Sequence, residues 1–553
     1  MYLDEYKRWL AADLEDADLK PELAKVEGND DEIKDRFAVA LKFGTAGLRG
    51  ILGAGTNRMN FLTVGRAASG VAQYLNAHFE HPSLAIGFDS RHMSEAFARR
   101  SAEIYAANGI KVYLFGSLKP TPMVSYAVRA LGCQGGVMVT ASHNPKQYNG
   151  YKVYGPDGCQ IGQEVAEEVE RFIRSTPYEH IRRADFDAAV QDGRIVWMPP
   201  EIEEGFLREV QKYSLSDGSI DLKIVYTPLN GTGNRPVREI LRRIGAKNVF
   251  VVPEQENPDP DFTTCPYPNP EIRQALECAI RMADEVKADL MLATDPDADR
   301  VGIAVRHRGE IVLLTGNETG ILLTNYLLER RKKEGTLPKR PFLIKTIVTT
   351  TMPDVIMKDY GGDVYDTYTG FKYIGDLYER LKLEGREGDY LLGFEESYGY
   401  MPGGYVRDKD AVGASMLIAE MADYYDREKK DLVDVLEELY AKYGCYRSRT
   451  VSFEFKGKEG ADKMEEILNR LRTEPPAELA GEPVNRGCDY LKGVEGYEPA
   501  NVISYECASL KAIVRPSGTE PKIKVYVHTR GADQAACEQV IERALDCFKK
   551  VFE

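Results

Sequence analysis

Short apolar runs alternate with helical stretches along most of this chain, and that alternation limits its possible folds more than any other feature. Residues 84–89, 111–115 and 137–139 are strand-like, with helical spacing over 63–78 before the first of them and over 94–108 between the first and second. The rhythm restarts at 223–226, 248–252 and 290–293, with helices predicted over 206–213, 236–244 and 271–286. It restarts again at 342–348 and 363–365. Strands that alternate with helices predict parallel α/β layers, because a crossover helix returns the chain to the same end of the sheet. A chain of 553 residues exceeds what one core can hold, so several domains are expected. The boundaries fall at 1–205, 206–319, 320–435 and 436–553. The last segment changes character, with aromatic and β-branched alternation over 450–455, and reads as α+β.

Composition narrows the function classes. A net charge of −15 argues against a general nucleic-acid or anionic-membrane surface, so a phosphate ligand must be drawn in by local basic clusters. The charged, amphipathic start is not a signal peptide, and no run of about 18 apolar residues exists to span a membrane. Nine scattered cysteines without a CxxC pair predict reduced thiols and a cytoplasmic protein. Oligomeric state is not legible in the chain.

The chemistry-bearing residues cluster just past the strand ends. In 135–157, a small-residue apolar strand runs into Thr140-Ala141-Ser142-His143-Asn144-Pro145, and a second short strand follows at 151–154. A serine held by a rigid strand beside an imidazole is a candidate nucleophile. Residues 43–50 read as a glycine-rich loop whose amides and Arg49 can meet a phosphate. The strand at 290–293 leads into Asp295-Pro296-Asp297-Ala298-Asp299-Arg300. Alternating aspartates on an extended loop are expected to share one side, and three close carboxylates call for a cation such as Mg²⁺. An EF-hand is excluded, since the sixth and twelfth positions are Arg300 and Arg306 where that loop needs Gly and Glu. Arg300 can reach a metal-bound phosphate.

Three further turns complete the set. Thr369-Gly370-Phe371-Lys372 is a glycine turn with a cation, and Gly393-Phe394-Glu395-Glu396-Ser397 offers acceptors and a hydroxyl for sugar hydroxyls. Arg515-Pro516-Ser517-Gly518-Thr519-Glu520-Pro521 combines an arginine, two hydroxyls and a glycine. Over 511–526 the net charge is +3 (four basic, one acidic), opposite in sign to the whole chain, which suits phosphate capture.

Together, TASHNP at 140–145, DPDADR at 295–300, GFEES at 393–397 and RPSGTEP at 515–521 resemble the α-D-phosphohexomutases in their order, one per expected domain, across nearly the whole chain. YNGYKVYG after the serine loop and RDKDAV after GFEES are similar to the phosphoglucomutase-2-like branch. The resemblance implies three related α/β units with mixed sheets and a C-terminal α+β domain around a central cleft. It implies that Ser142 is a phosphoserine that ligates Mg²⁺ through its phosphate, with Asp295, Asp297 and Asp299 as protein ligands. Glu395 and Ser397 would bind sugar hydroxyls, Thr369 and Gly370 would contact the alternative sugar orientation, and Arg515, Ser517, Gly518 and Thr519 would hold the phosphate not being transferred. Arg49, His143, Lys152 and Lys409 would surround the reacting oxygen, the general acid or base among them being open. The implied activity is phosphoglucomutase through a reorienting glucose 1,6-bisphosphate, with phosphomannomutase, phosphopentomutase and glucose-1,6-bisphosphate synthase as alternatives. Outside the enzymes, a sugar-phosphate sensor remains the competing class.

Overall fold

The computed structural model describes residues 2–12, 14, 18–45, 47–455, 457–493, 499–516 and 522–552. They form two compact units, 1–316 with 370–429, and 317–369 with 430–553. In the first unit, α1 (Tyr2–Ala11), α2 (Leu19–Lys25) and α3 (Asp30–Phe37) enclose a small core of Tyr6, Trp9, Leu23, Ile33 and Phe37. Helix α3 starts where the Asn29 side chain accepts from Glu32 N, satisfying an amide that the helix itself leaves open. This bundle grips the segment after β1 (Leu48–Ile51): Glu22 accepts from Ala54 N at 3.1 Å and Arg36 donates to the Ala54 carbonyl at 3.0 Å.

The first sheet follows with α4 (Phe61–His78), β2 (Ser83–Phe88), α5 (Ser94–Ala107), β3 (Lys111–Leu114), α6 (Thr121–Ala130), β4 (Gly135–Val139), β5 (Tyr148–Tyr154), α7 (Gln163–Ser175), α8 (Phe186–Gln191) and β6 (Ile195–Trp197). Its order is β1-β5-β4-β2-β3-β6. Strands β4, β2, β3 and β6 run parallel, while β5 and β1 are antiparallel additions at one edge. Every residue of β4 is buried, as expected of a strand covered on both faces, which needs a continuous apolar run. The glycine-rich stretch at 43–50 is not wholly a loop: Leu48–Ile51 is strand, with Arg49 opposite Gly150. The exposed edge of β5 takes up its backbone groups, which would otherwise lack partners. Position 150 has no room for a side chain, since a Cβ there would lie 2.4 Å from the Thr140 carbonyl oxygen.

The second sheet comes from α9 (Pro200–Gln211), β7 (Ile220–Thr227), α10 (Asn234–Arg243), β8 (Ala246–Val251), α11 (Pro253–Glu256), α12 (Glu277–Val286), β9 (Leu290–Thr294), β10 (Val301–His307) and β11 (Glu310–Leu314). Its order is β11-β10-β9-β7-β8, parallel for β9, β7 and β8. Helix α9 starts earlier than its apolar spacing predicts because Pro200 suits a first helical turn. The helix predicted from Glu271 begins only at Glu277, after a 3₁₀ turn at Arg273–Leu276. Asn269 Oδ1 accepts the Glu271 amide at 3.0 Å, a local bond that competes with helix initiation.

Helix α13 (Gly316–Glu334) leads into the second unit, where β12 (Phe342–Thr346), α14 (Met352–Asp359) and β13 (Asp363–Thr367) form a parallel strand pair with its crossover helix. The chain returns to the first unit with α15 (Phe371–Leu383), the antiparallel pair β14 (Tyr390–Glu395) and β15 (Gly399–Met401), and α16 (Ala411–Arg427). Helix α16 is buried over almost its whole length, matching its small, apolar composition, and Asp410 caps its start.

The second unit resumes with α17 (Leu432–Tyr443), β16 (Cys445–Glu454), α18 (Gly457–Thr473), the short ribbon β17 (Glu478–Leu479) and β18 (Glu482–Pro483), β19 (Arg486–Asp489), β20 (Ile503–Glu506), β21 (Leu510–Pro516), β22 (Lys522–Gly531) and α19 (Gln534–Phe552). Its antiparallel sheet has the order β16-β22-β21-β20-β19, with Ile467, Val514, Val525, Ile541 and Phe548 in its core. All nine cysteines are free thiols. Among the described residues, no helix is long and apolar enough to cross a membrane.

Candidate active site

Strand β4 ends at Val139, and three residues later Ser142 takes a left-handed backbone conformation, φ +54°. Such a conformation is uncommon outside glycine, and here the turn is held by a bond from Ser142 N to Thr140 Oγ1 at 2.8 Å. The side chain is buried. Its Oγ donates to Asp295 Oδ2 at 2.8 Å and lies 3.1 Å from His143 Nδ1. Burial, reinforced by the Arg300 and Arg49 charges, holds the His143 imidazole well below its ordinary pKa, so the ring is neutral.

Asp295, Asp297 and Asp299 are all fully buried, with one oxygen of each within 4.8 Å of the others. They do not converge by the alternation of extended backbone. The segment after β9 is a turn, with Ala298 at φ +49°, and Asp295 Oδ1 closes it by accepting from Asp299 N and Arg300 N at 3.1 and 3.0 Å. The neighbouring segment of the second sheet presses on this turn. Thr232 N donates to the Pro296 carbonyl at 2.8 Å, and a Cβ on Gly231 would meet Pro296 Cα at 2.4 Å.

Two lysines face the triad. Lys152 on β5 donates to Asp297 Oδ2 at 2.8 Å and Asp299 Oδ2 at 2.9 Å, while Lys409 donates to Asp299 Oδ2 at 2.9 Å. Burial pulls both ammoniums toward neutrality, but the aspartates outweigh it and raise them. Asp299 answers in kind: burial disfavours its charge, and Lys152 and Lys409 nonetheless hold it below the usual carboxylate range. Asp295 has no lysine contact among the described residues, and burial followed by the charges of Asp297 and Asp299 pushes it far up. Thr121 at the start of α6 also serves the triad, its hydroxyl donating to Asp297 Oδ2 at 2.7 Å.

Around this centre, Glu395 at the end of β14 accepts from Gly370 N at 2.6 Å, and burial raises its carboxyl. Asp408, beside Lys409, accepts from Tyr154 Oη at 3.0 Å and Gln160 Nε2 at 2.8 Å. A serine hydroxyl, an acidic triad and paired ammoniums at converging strand ends can bind a cation and a phosphate together.

Family comparisons agree in register with these elements. Four models described as phosphoglucomutase/phosphomannomutase match in order: alpha/beta/alpha domain I at 40–179, domain II at 204–309, domain III at 315–443 and the C-terminal domain at 497–546. The chain belongs to the phosphoglucomutase/phosphomannomutase family. It is a phosphosugar mutase by that membership. A phosphoglucomutase of Staphylococcus saprophyticus subsp. saprophyticus is 36% identical over 504 residues, covering 89% of this chain and 90% of the relative. One from Staphylococcus aureus is 35% identical over 521 residues, covering 91% and 92%. The fold is shared with the Paramecium phosphoprotein parafusin, a phosphoglucomutase in open form, at TM-score 0.70 and 17% identity over 93% of this chain and 95% of that one. It is shared too with Aspergillus fumigatus N-acetylphosphoglucosamine mutase in complex with GlcNAc-6P and magnesium, at TM-score 0.51 and 14% identity over 93% and 97%.

Of the phosphohexomutase residues expected from sequence, the first unit brings together Ser142, His143, Lys152, Asp295, Asp297, Asp299 and Lys409. Arg49 is exposed on β1 and donates to Asn144 Oδ1 at 3.2 Å, so it reaches the serine loop. Arg300 is turned to Glu271, 2.6 Å away. Ser397 is half-buried in the turn between β14 and β15. Thr369 and Arg515 lie in the second unit, after β13 and near the end of β21. Ser517, Gly518 and Thr519 lie outside the described residues. Sequence reasoning passed over Thr121, Asp408 and the pair Asp89 and Arg91. The last pair carried a usable signal: it stands just past β2, the position that Ser142 and Asp295 hold relative to β4 and β9.

Proposed function

We propose that this chain is a phosphoglucomutase that interconverts glucose 1-phosphate and glucose 6-phosphate in the cytoplasm, with Ser142 carrying the phosphoryl group. The observation that carries this reading is the seat of Ser142, a buried hydroxyl 2.8 Å from one of three converging carboxylates and flanked by His143. Glucose as the sugar is supported by the relatives named phosphoglucomutase.

The triad fits a divalent cation. Its donors are all carboxylate oxygens, and Asp297 Oδ1 and Asp299 Oδ1 are buried without a hydrogen-bond partner among the described residues. Asp295, which burial and its two neighbours push far up, is the carboxyl that a bound divalent cation would return to its charged form. Asp295, Asp297 and Asp299, with the phosphate on Ser142, would hold Mg²⁺, which when bound supplies charge neutralisation at the phosphoryl oxygens. The magnesium of the Aspergillus neighbour supports this choice.

In the first half-reaction the P–Oγ bond to Ser142 breaks as a bond forms from phosphorus to the free sugar hydroxyl. The hydroxyl proton passes to a base among the groups around the reacting oxygen, and glucose 1,6-bisphosphate results. Of these groups His143 is neutral and able to accept the proton, while Lys152 and Lys409 are held as ammoniums and Arg49 as a guanidinium. The bisphosphate turns over, and its other phosphoryl group returns to Ser142. Glu395 and Ser397 hold sugar hydroxyls, Thr369 and Gly370 serve the alternative orientation, and Arg300 meets the transferring phosphate. Arg515, Ser517, Gly518 and Thr519 hold the other phosphate. The proposal keeps domain boundaries near 205, 319 and 435, and glucose 1,6-bisphosphate as activator.

The test is tandem mass spectrometry of the purified protein with kinetics of Ser142→Ala. Phosphate on Ser142 and loss of turnover in the variant are expected; full activity in the variant overturns the proposal. Parallel turnover on mannose 1-phosphate and ribose 1-phosphate separates glucose preference from the phosphomannomutase and phosphopentomutase alternatives. Net production of bisphosphate from a separate donor would mark a synthase, and binding without turnover a sensor.

A further inference from the structure

Arg91 has no part in the reaction as written, yet its side chain is completely buried beneath the Ser142 loop. Both of its terminal nitrogens are spent on that loop. Nη2 donates to the carbonyls of Ser142 and Asn144, and Nη1 donates to those of Pro145 at 2.9 Å and Tyr148 at 3.3 Å. Four carbonyls spread over seven residues of chain thus turn inward onto one guanidinium. The planar fork can hold them all at once, which a point-like ammonium cannot.

The guanidinium is itself held on two further sides. Asp89, also fully buried, forms an ion pair with Arg91 Nε at 3.2 Å, and its other oxygen accepts from Arg91 N at 3.0 Å and Ser94 Oγ at 2.6 Å. From the second domain, the long proline-rich connection between β8 and α12 lays Phe262 against it, with Cζ 5.0 Å from the ring centroid. The same connection pins the outer side of the loop through Asp261, which pairs with Lys146 at 3.0 Å and His92 at 3.3 Å. A connection too long for a routine crossover therefore has a structural role, closing the cage around Arg91.

The consequence falls on Ser142. Its left-handed backbone, φ +54°, is a conformation that a serine does not hold unless its surroundings impose it. That conformation aims Oγ at Asp295 and His143. Thr140 fixes the amide side of residue 142 and Arg91 fixes its carbonyl side.

We infer that Arg91 is a positioning residue for phosphoryl transfer, its guanidinium gathering the loop carbonyls so that Ser142 stays in the left-handed conformation that points its oxygen into the acidic site. The inference rests on the proposal that Ser142 is the phosphoryl carrier. Sugar binding draws on other residues, so loss of Arg91 acts on turnover and spares substrate affinity. A displacement of the nucleophile by about 1 Å is enough for a loss on the order of 100-fold.

The experiment measures kcat and KM for glucose 1-phosphate, with glucose 1,6-bisphosphate present, in wild type, Ser142→Ala, Arg91→Met and Arg91→Lys. Folded fraction is followed by circular dichroism, and Ser142 phosphorylation by mass spectrometry. Expected is a fall in kcat on the order of 100-fold for Arg91→Met, with KM within about threefold of wild type. Arg91→Lys, which keeps the charge and reaches fewer carbonyls, is expected to recover part of the lost kcat at unchanged KM. Wild-type kcat in Arg91→Met, or a defect confined to KM, overturns the inference. If Arg91→Met does not fold, Arg91→Lys decides by the same split: lowered kcat at constant KM supports the positioning role, and wild-type kcat overturns it. Full activity in Ser142→Ala would instead overturn the proposed function, whatever the Arg91 variants do.

Discussion

Replacing Lys152 with methionine removes one of the two cations that face three buried carboxylates. Lys152 Nζ lies 2.8 Å from Asp297 and 2.9 Å from Asp299, and its side chain is 5% exposed. Breaking a buried ion pair from one side costs about 3–5 kcal/mol, because the charge left behind stays out of water. At about 2–4 °C per kcal/mol, the scale for a domain of roughly 150–250 residues, the metal-free protein should melt roughly 6–20 °C lower. Lys152 Nζ supplies a positive charge to both Asp297 and Asp299, and the variant leaves that charge out. A divalent cation at the triad would stand in for the missing ammonium, so its binding relieves more repulsion in the variant. Scanning calorimetry should therefore show Lys152→Met melting well below wild type in chelator, with the gap narrowing in excess magnesium. Equal melting temperatures in chelator, or a gap that magnesium widens, would refute the reasoning.

Two other perturbations follow from the structure. Alanine at position 150 would put its Cβ 2.4 Å from the Thr140 carbonyl and 2.9 Å from that of Leu48, both backbone atoms. Gly150→Ala should cost about 1–3 kcal/mol in urea unfolding and depress kcat, and an unchanged urea midpoint would count against the close approach. In the second unit, burial and then the Lys511 and Lys345 charges push His528 down to about 3, against the bond of the Val348 carbonyl. A depressed histidine binds fewer protons folded than unfolded, so the stability it contributes is present above the unfolded pKa of about 6.5 and lost as pH falls toward 3. Between pH 7 and pH 5 wild type should lose about 2 kcal/mol more than His528→Gln in parallel urea titrations, and parallel curves would remove the effect.

The alternation of strands and helices was legible because buried strands such as β4 carry unbroken apolar runs. The edge was not. Leu48–Ile51 is strand only because β5 offers it backbone partners far away in sequence, and its glycines read locally as a loop. Helix α6, headed by Thr121 and Pro122, and helix α19 near the end of the described chain were passed over, although both have apolar stripes at helical spacing. For the site, residue type was enough to mark Ser142, the three aspartates and the lysines, since charge and spacing carry chemistry. Their geometry was not legible: the aspartates converge through a turn closed by Asp295, not through extended backbone. Arg91 escaped because its importance lies in carbonyl oxygens, which every residue has and no sequence displays.

The three N-terminal helices have a consequence for anyone who shortens this chain. The family match begins at residue 40, after α3, which makes that position a natural place to cut. Yet Glu22 and Arg36 clasp both backbone groups of Ala54, and the Arg36 carbonyl accepts from Asn57 N. Trimming to the family boundary would strip the contacts behind the segment that follows β1, the strand of Arg49, while leaving every motif intact. The smallest faithful version of the first domain is therefore set by hydrogen bonds behind β1 and includes residues that no motif marks.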